Sequence, residues 1–252
     1  MSGHSKWATI KHKKAAQDAK RGKVFSRMSK EITIAAKLGG GDIDMNPRLR
    51  TAVLAARAVN MPADNIERAI KKGTGELPGV VYEEIMYEAY GPAGVALMIR
   101  VLTDNRNRIT GEVRAMLERR NGTMAGAGAV AWQFNRKGFI TIEKTAADEE
   151  TVFNIVTDAG AEDLQTSDEA YEITTPVEDF EAVKQALEQA KIATTSATLT
   201  MLPASSVKIA DEKDAAAVLR LMEGIEELDD VQEVFANFDM DEGLMRRVSE
   251  QL

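Results

Sequence analysis

Two kinds of apolar spacing divide this chain near Gly75, and together they allow only a mixed fold. Before that point, Val24, Phe25, Met28, Ile32 and Ala35 recur every three or four positions. Such spacing makes one face of an amphipathic helix, which Gly39, Gly40 and Gly41 would stop. Asn46 offers an N-cap, and Pro47 suits the first position of a second helix with Leu49, Val53, Ala56 and Val59 as its buried stripe. A third helix is predicted from near Pro62 to Gly73. It would bury Ile66 and Ile70, pair Glu67 with Lys71 four residues on, and set Lys71 and Lys72 on the negative end of its dipole.

After Gly75 the spacing changes. "VYEEIMYEAYGPAGVALMIRVLTD" reads as two strands around Gly91-Pro92. A helix follows through Ile109, Val113, Met116 and Leu117, ended by Asn121-Gly122, and "AVAWQF" reads as a third strand. "GFITIEK", "ADEETVFNIVTDAG", "EDLQTSD", "AYEITTP", "VEDFEAVKQALEQAK" and "TTSATLTML" then run strand, helix, strand, strand, helix, strand. That order is the split βαβ, or ferredoxin-like, motif. "DEKDAAAVLRLMEGIEEL" is a helix and "VQEVFANFDM" a strand that would complete the earlier β-β-α-β set, and a short helix through Leu244 and Val248 is added at the end. The fold class expected is α+β and multidomain: a helical bundle at 1–75, an α/β domain at 76–135 and 206–252, and a ferredoxin-like domain at 136–205 inserted into it. Insertion is tolerated where an inserted domain's ends lie close together.

Charge is divided along the same lines. Residues 1–72 carry a net +10, whereas the whole chain of 252 residues carries −8. The first 31 residues hold nine Lys/Arg against two acids. A basic end on an acidic body points to a polyanion met at that end only. Residues 13–22, "KKAAQDAKRG", have no large apolar side chain, so residues 1–20 are expected to be mobile when free. No apolar run approaches the roughly 18 residues of a membrane helix. The basic N-terminus lacks the apolar stretch of a secretory signal and reads as folded protein rather than a transit peptide. The absence of cysteine removes disulfides and thiolate zinc sites and fits a reducing cytoplasm.

Lys6, Lys11, Lys13, Lys14, Lys20, Arg21, Lys23, Arg27 and Lys30 are candidate phosphate contacts, and Trp7 among them could stack on an unpaired base. Lysine is a point charge rather than a base-reading fork, which favours contact with the backbone. Arg68, Lys71 and Lys72 would be presented by the third helix. In "TDNRNRI", Arg106 and Arg108 sit at a strand-to-helix junction with Asp104 or Asn105 as cap. They are either a second phosphate contact or part of an ordinary surface helix.

Other patterns fall away. "GAGAVA" fits the loose form of a dinucleotide loop, but a turn precedes it and no helix follows, so its glycines read as a bend or a close backbone approach. "DIDMNP" has Pro47 and Val53 where a calcium loop needs Gly and Glu. His4 and His12, without cysteine nearby, make poor metal ligands, and a mobile terminus would not hold a catalytic dyad with Ser2 or Ser5. Glu226-Glu227 and Asp229-Asp230 read as solvated faces. With no cofactor loop, metal set or nucleophile–base pair, the reading is of a non-enzyme with no cofactor, no metal, no small-molecule substrate and no membrane.

Three stretches, "GHSKWATIKHKKAAQDAKRGKVFSRMSKEI", "NPRLRTAVLAARAVNMPADNIERAIKKGTGE" and "TDNRNRI", resemble the YebC/PmpR family, and the resemblance runs over the whole chain. It implies a helical bundle and two α/β domains, one inserted in the other, around a cleft. It also implies a cytoplasmic, non-enzymatic regulator of gene expression. Bacterial members are usually described as DNA-binding transcriptional regulators. Others, mitochondrial relatives among them, look like translation factors that act on the ribosome where proline runs stall synthesis. The partner implied is therefore DNA, or else ribosomal RNA and the ribosome. Both are polyanions, and the residues do not separate them.

Overall fold

The computed structural model describes residues 21–167 and 170–251. It is a mixed α+β fold. The expectation for residues 1–20 lies outside the described residues. The chain divides into two compact units, one formed by residues 132–206 and the other by the described residues on either side of that stretch. Among the described residues, no helix is long and apolar enough to cross a membrane.

The larger unit starts with three helices: α1 (Arg21–Gly39), α2 (Pro47–Ala58) and α3 (Ala63–Thr74). Asn46 caps α2, its side chain accepting from the Leu49 N–H at 3.1 Å, and its amide also donates to the Ala35 and Gly40 carbonyls at 2.8 Å. Ile32, Ala35, Ala36, Leu49, Val53, Ala56, Ile66 and Ala69 form the bundle core. Each fully buried Ile or Leu there stabilises the fold by about 1.5–3 kcal/mol. Two readings need correction. Val59 is not in the stripe: it is the C-cap of α2 and is 40% exposed. Gly73 does not end α3, which runs on to Thr74 and closes at Gly75 in the left-handed region (φ 83°). Gly73 is instead where α1 and α3 touch. A Cβ there would lie 2.4 Å from the Thr33 carbonyl oxygen and 2.7 Å from the Ala36 Cβ.

The rest of this unit is an antiparallel sheet of β1 (Glu83–Tyr90), β2 (Ala96–Thr103), β3 (Thr123–Ala125) and a later strand, β9, with helix α4 (Arg106–Arg119) between β2 and β3. The chain then forms the smaller unit, with strands β4 (Phe134–Glu143), β5 (Asp163–Thr166), β6 (Ala170–Thr175) and β7 (Ser196–Pro203) in the order β5-β6-β4-β7, and helices α5 (Glu149–Asp158) and α6 (Phe180–Gln189). Ile140, Ile142 and Ile173 of its sheet pack with Val152, Val156, Val183 and Leu187 of its helices. Returning, the chain makes β8 (Val207–Ile209), α7 (Glu212–Glu226), β9 (Val231–Ala236), β10 (Phe238–Met240) and α8 (Glu242–Glu250). β9 pairs with β2, giving the order β3-β1-β2-β9. Leu97, Ile99 and Val101 of β2 pack with Ile109, Val113 and Leu117 of α4 and Leu219 and Met222 of α7.

Two strands differ from the sequence reading. "AVAWQF" is not the third strand. That strand is β3, and Ala131–Gln133 make a 3-10 turn. The reason is Glu88, whose carboxylate takes the N–H groups of Gly128, Val130 and Ala131 at 2.6, 2.7 and 2.9 Å, leaving them unavailable to a sheet. "VQEVFANFDM" is two strands rather than one. Asn237 breaks it: its side-chain oxygen accepts from the Ala96 N–H at 2.7 Å and its main-chain carbonyl accepts from Val207 at 2.7 Å. β10 can then leave the first sheet and pair in parallel with β8.

Candidate nucleic-acid interface

Lys23, Arg27 and Lys30 are spaced by four and three residues, so they share one face of α1. That face meets the carboxyl end of α7. The Lys23 ammonium donates to the Glu227 carbonyl and stands 3.5 Å from the Asp229 carboxylate. Arg27 donates to the Glu226 carbonyl and, at 3.5 Å, to that of Leu228. Lys30 donates to the Asp229 carbonyl at 3.1 Å and to the Asp230 carboxylate. The last carbonyls of a helix lack partners within it and carry the negative end of its dipole, so they attract cations. Burial pushes the Lys23 ammonium below its ordinary value, with repulsion from Arg27 adding to the effect. Burial likewise lowers Arg27.

Asp230 ties this contact to "TDNRNRI". Its buried carboxylate also accepts from the Thr103 hydroxyl at 2.7 Å and from the Arg108 guanidinium at 2.7 Å. Burial pushes the carboxyl up, but the hydrogen bonds from Lys30, Arg108 and Thr103 outweigh it and hold the group below its ordinary value. Arg108 also bonds Asp104 at 2.7 Å, and Asn105 caps α4 by accepting from the Arg108 N–H at 3.1 Å. Lys23, Lys30, Tyr82, Arg108 and Asp230 are among the residues lining a cleft of about 780 Å³. Every cation in that cleft already faces an acid of the same chain.

The outer side of α3 is different. Arg68 and Lys72 are exposed and share a face at a spacing of four, and neither has an ion-pair partner among the described residues. Lys71 is bonded to Glu67 at 2.6 Å on the solvent side. Arg106, whose side chain is 66% exposed, stands 3.9 Å from Glu83. The described structure therefore divides the candidate cations. Lys23, Arg27, Lys30 and Arg108 are gathered around the end of α7, whereas Arg68, Lys71, Lys72 and Arg106 face solvent. Lys6, Trp7, Lys11, Lys13, Lys14 and Lys20 lie outside the described residues, and the side chain of Arg21 is not described.

A second polar patch went unread in the sequence. Arg100 on β2 bonds Glu233 at 2.7 Å, Glu84 at 2.8 Å and Glu31 of α1 at 3.0 Å. Arg48 of α2 bonds Glu31 at 2.9 Å and grips Glu84 with two nitrogens at 3.0 and 3.1 Å. Burial alone would raise Glu84, but the two arginines hold it below its ordinary value. These pairs join α1 and α2 to the sheet strands. Their only sequence trace is an arginine in an otherwise apolar strand, "ALMIRVLT".

Comparison with known proteins identifies what carries this arrangement. Residues 5–76 match the model of the TACO1/YebC protein N-terminal domain, and residues 82–238 match that of the TACO1/YebC second and third domain. The chain belongs to the YebC/PmpR family. Among its relatives, a "probable transcriptional regulatory protein" of Syntrophobacter fumaroxidans is 52% identical, covering 99% of this chain and all of the relative. One of Geobacter sulfurreducens with the same description is 55% identical, covering 95% of this chain and 96% of the relative. The crystal structure of a conserved hypothetical protein of Aquifex aeolicus superposes with a TM-score of 0.80 at 46% identity, covering 89% of this chain and 92% of that one.

Proposed function

We propose that this YebC/PmpR protein is a cytoplasmic, non-enzymatic, DNA-binding regulator of transcription, with residues 1–75 as the module that meets the nucleic acid. One observation carries the reading. Arg68 and Lys72 stand exposed on α3 and, among the described residues, without acid partners, within a segment of net +10 on an otherwise acidic chain. The names of relatives matched over all or nearly all of their length support the same reading. α3 follows α2 after a four-residue connection, so α3 would be the helix laid against the duplex, with Lys71 and Arg106 beside it. Lys6, Lys11, Lys13, Lys14, Lys20 and Arg21 would add phosphate contacts and Trp7 a stacking face. The acidic modules, 76–135 with 206–252 and the insert at 136–205, would confine contact to the basic end.

Ultraviolet crosslinking in growing cells, with sequencing of the recovered DNA and RNA, tests this. A variant with Lys11, Lys13 and Lys14 changed to Glu is run in parallel. Enrichment at promoters that the variant loses supports a transcriptional regulator. Enrichment on ribosomal RNA instead overturns it in favour of a translation factor.

A further inference from the structure

We propose that Lys23, Arg27 and Lys30 form a reversible latch on the carboxyl end of α7, closed in the free protein and opened when nucleic-acid phosphates take those cations. The proposal rests on the reading above, that the basic segment meets a polyanion.

Three features of the contact favour exchange. Four of the acceptors are main-chain carbonyls carrying partial charge, those of Glu226, Glu227, Leu228 and Asp229, beside the carboxylates of Asp229 and Asp230 that face Lys23 and Lys30. A phosphate offers the same geometry with a full negative charge, and charge-assisted hydrogen bonds are the stronger kind. The cations are also imperfectly served where they are. The Arg27 Nε is buried with no hydrogen-bond partner among the described residues, so closure leaves a donor unmet that a phosphate oxygen could satisfy. Burial, moreover, lowers the pKa of both Lys23 and Arg27, which marks the charged forms as penalised in this contact. Arg27, at the centre of the cation face of α1, is thus held, among the described residues, only by carbonyls, a weaker version of its proposed ligand. Exposed Arg68 and Lys72 on α3 can make first contact while the latch is shut.

The absence of cysteine makes the test direct. Thr51→Cys on α2 and Lys213→Cys on α7 are both exposed positions away from the contact, and they place two spin labels on the full chain. Distances are read by double electron–electron resonance, free and at saturation with a mixed-sequence DNA duplex or a single-stranded RNA, with binding followed separately by anisotropy. A shift to longer, broader distances with either polymer is the result expected. Binding without a shift overturns the latch and leaves the nucleic-acid reading intact, whereas failure of both polymers to bind overturns both. In the background of Arg68→Glu with Lys72→Glu, saturation should need more polymer and still give the shift. If the shift vanishes at saturation, contacts on α3 drive the motion and the latch is wrong.

Discussion

Helices α1 and α3 carry similar positive charge and use it differently. On α1 the cations are committed to the chain itself: Lys23, Arg27 and Lys30 cover the end of α7. On α3, Arg68 and Lys72 are exposed and unpaired among the described residues. Charge per residue therefore does not measure what a surface offers to a ligand. The acceptor already in place decides it, and a charge free in solvent costs a ligand less to engage than one that must first be released.

The largest way to break the contrast is at Asp230, where the α1 contact and Arg108 converge. Asp230→Asn should cost about 3 kcal/mol of unfolding free energy, the low end of what breaking a buried ion pair costs, because Arg108 stays half-exposed. Urea unfolding reads it. The same group gives a pH signature. Its folded pKa lies below the ordinary 3.8, so its stabilisation is fully present above that value and is lost as pH falls through the lower folded value. Stability of the Asn variant should lose that acid step, and an unchanged acid limb would mean that Asp230 is not holding the contact. Next in size, Gly73→Ala presses a methyl between α1 and α3 and should cost about 1–3 kcal/mol, as overpacking does. Thermal unfolding without loss would show that the helices have room to part. Smaller in stability, but sharper for function, is Arg68→Glu with Lys72→Glu. Tm should fall only slightly, from reversing a charge at the negative end of the helix dipole, while affinity for a DNA duplex falls about tenfold or more and the salt slope drops by about 2. An equal loss of affinity and of stability would erase the distinction between the two helices.

Much of the fold was legible because its signals are local. Asn46 before Pro47 announced α2, and the helical spacing of Val24 to Ala35 announced α1. The alternation after Gly75 placed most strands. The failures share a cause, which is partners far away in sequence. Gly73 looked like a stop because glycine punctuates helices, yet what it serves is the backbone of α1 some forty residues earlier. Asn237 sits in a strand-like run, and only its bonds to Ala96 and Val207 show why the run must break. At the candidate interface, Lys23, Arg27 and Lys30 read as phosphate contacts. Most of their acceptors are carbonyls about 200 residues away, and a carbonyl belongs to every residue type, so only the carboxylates of Asp229 and Asp230 left any sign of the contact among the side chains. Glu226-Glu227 and Asp229-Asp230 read as a solvated acidic face for the same reason.

The glycine-rich turn Gly126–Gly128 has a consequence for handling the protein. Such a stretch between two strands is where a protease would ordinarily nick a chain, since cleavage requires several residues to peel away into an extended form. Here the adjoining N–H groups grip the Glu88 carboxylate; burial pushes its pKa up, but their hydrogen bonds outweigh that and hold it below the ordinary 4.5. Peeling the turn away would strand a buried charge, so dilute thermolysin should spare this connection and cut elsewhere first. The least promising-looking glycine run in the chain is thereby made a durable tether.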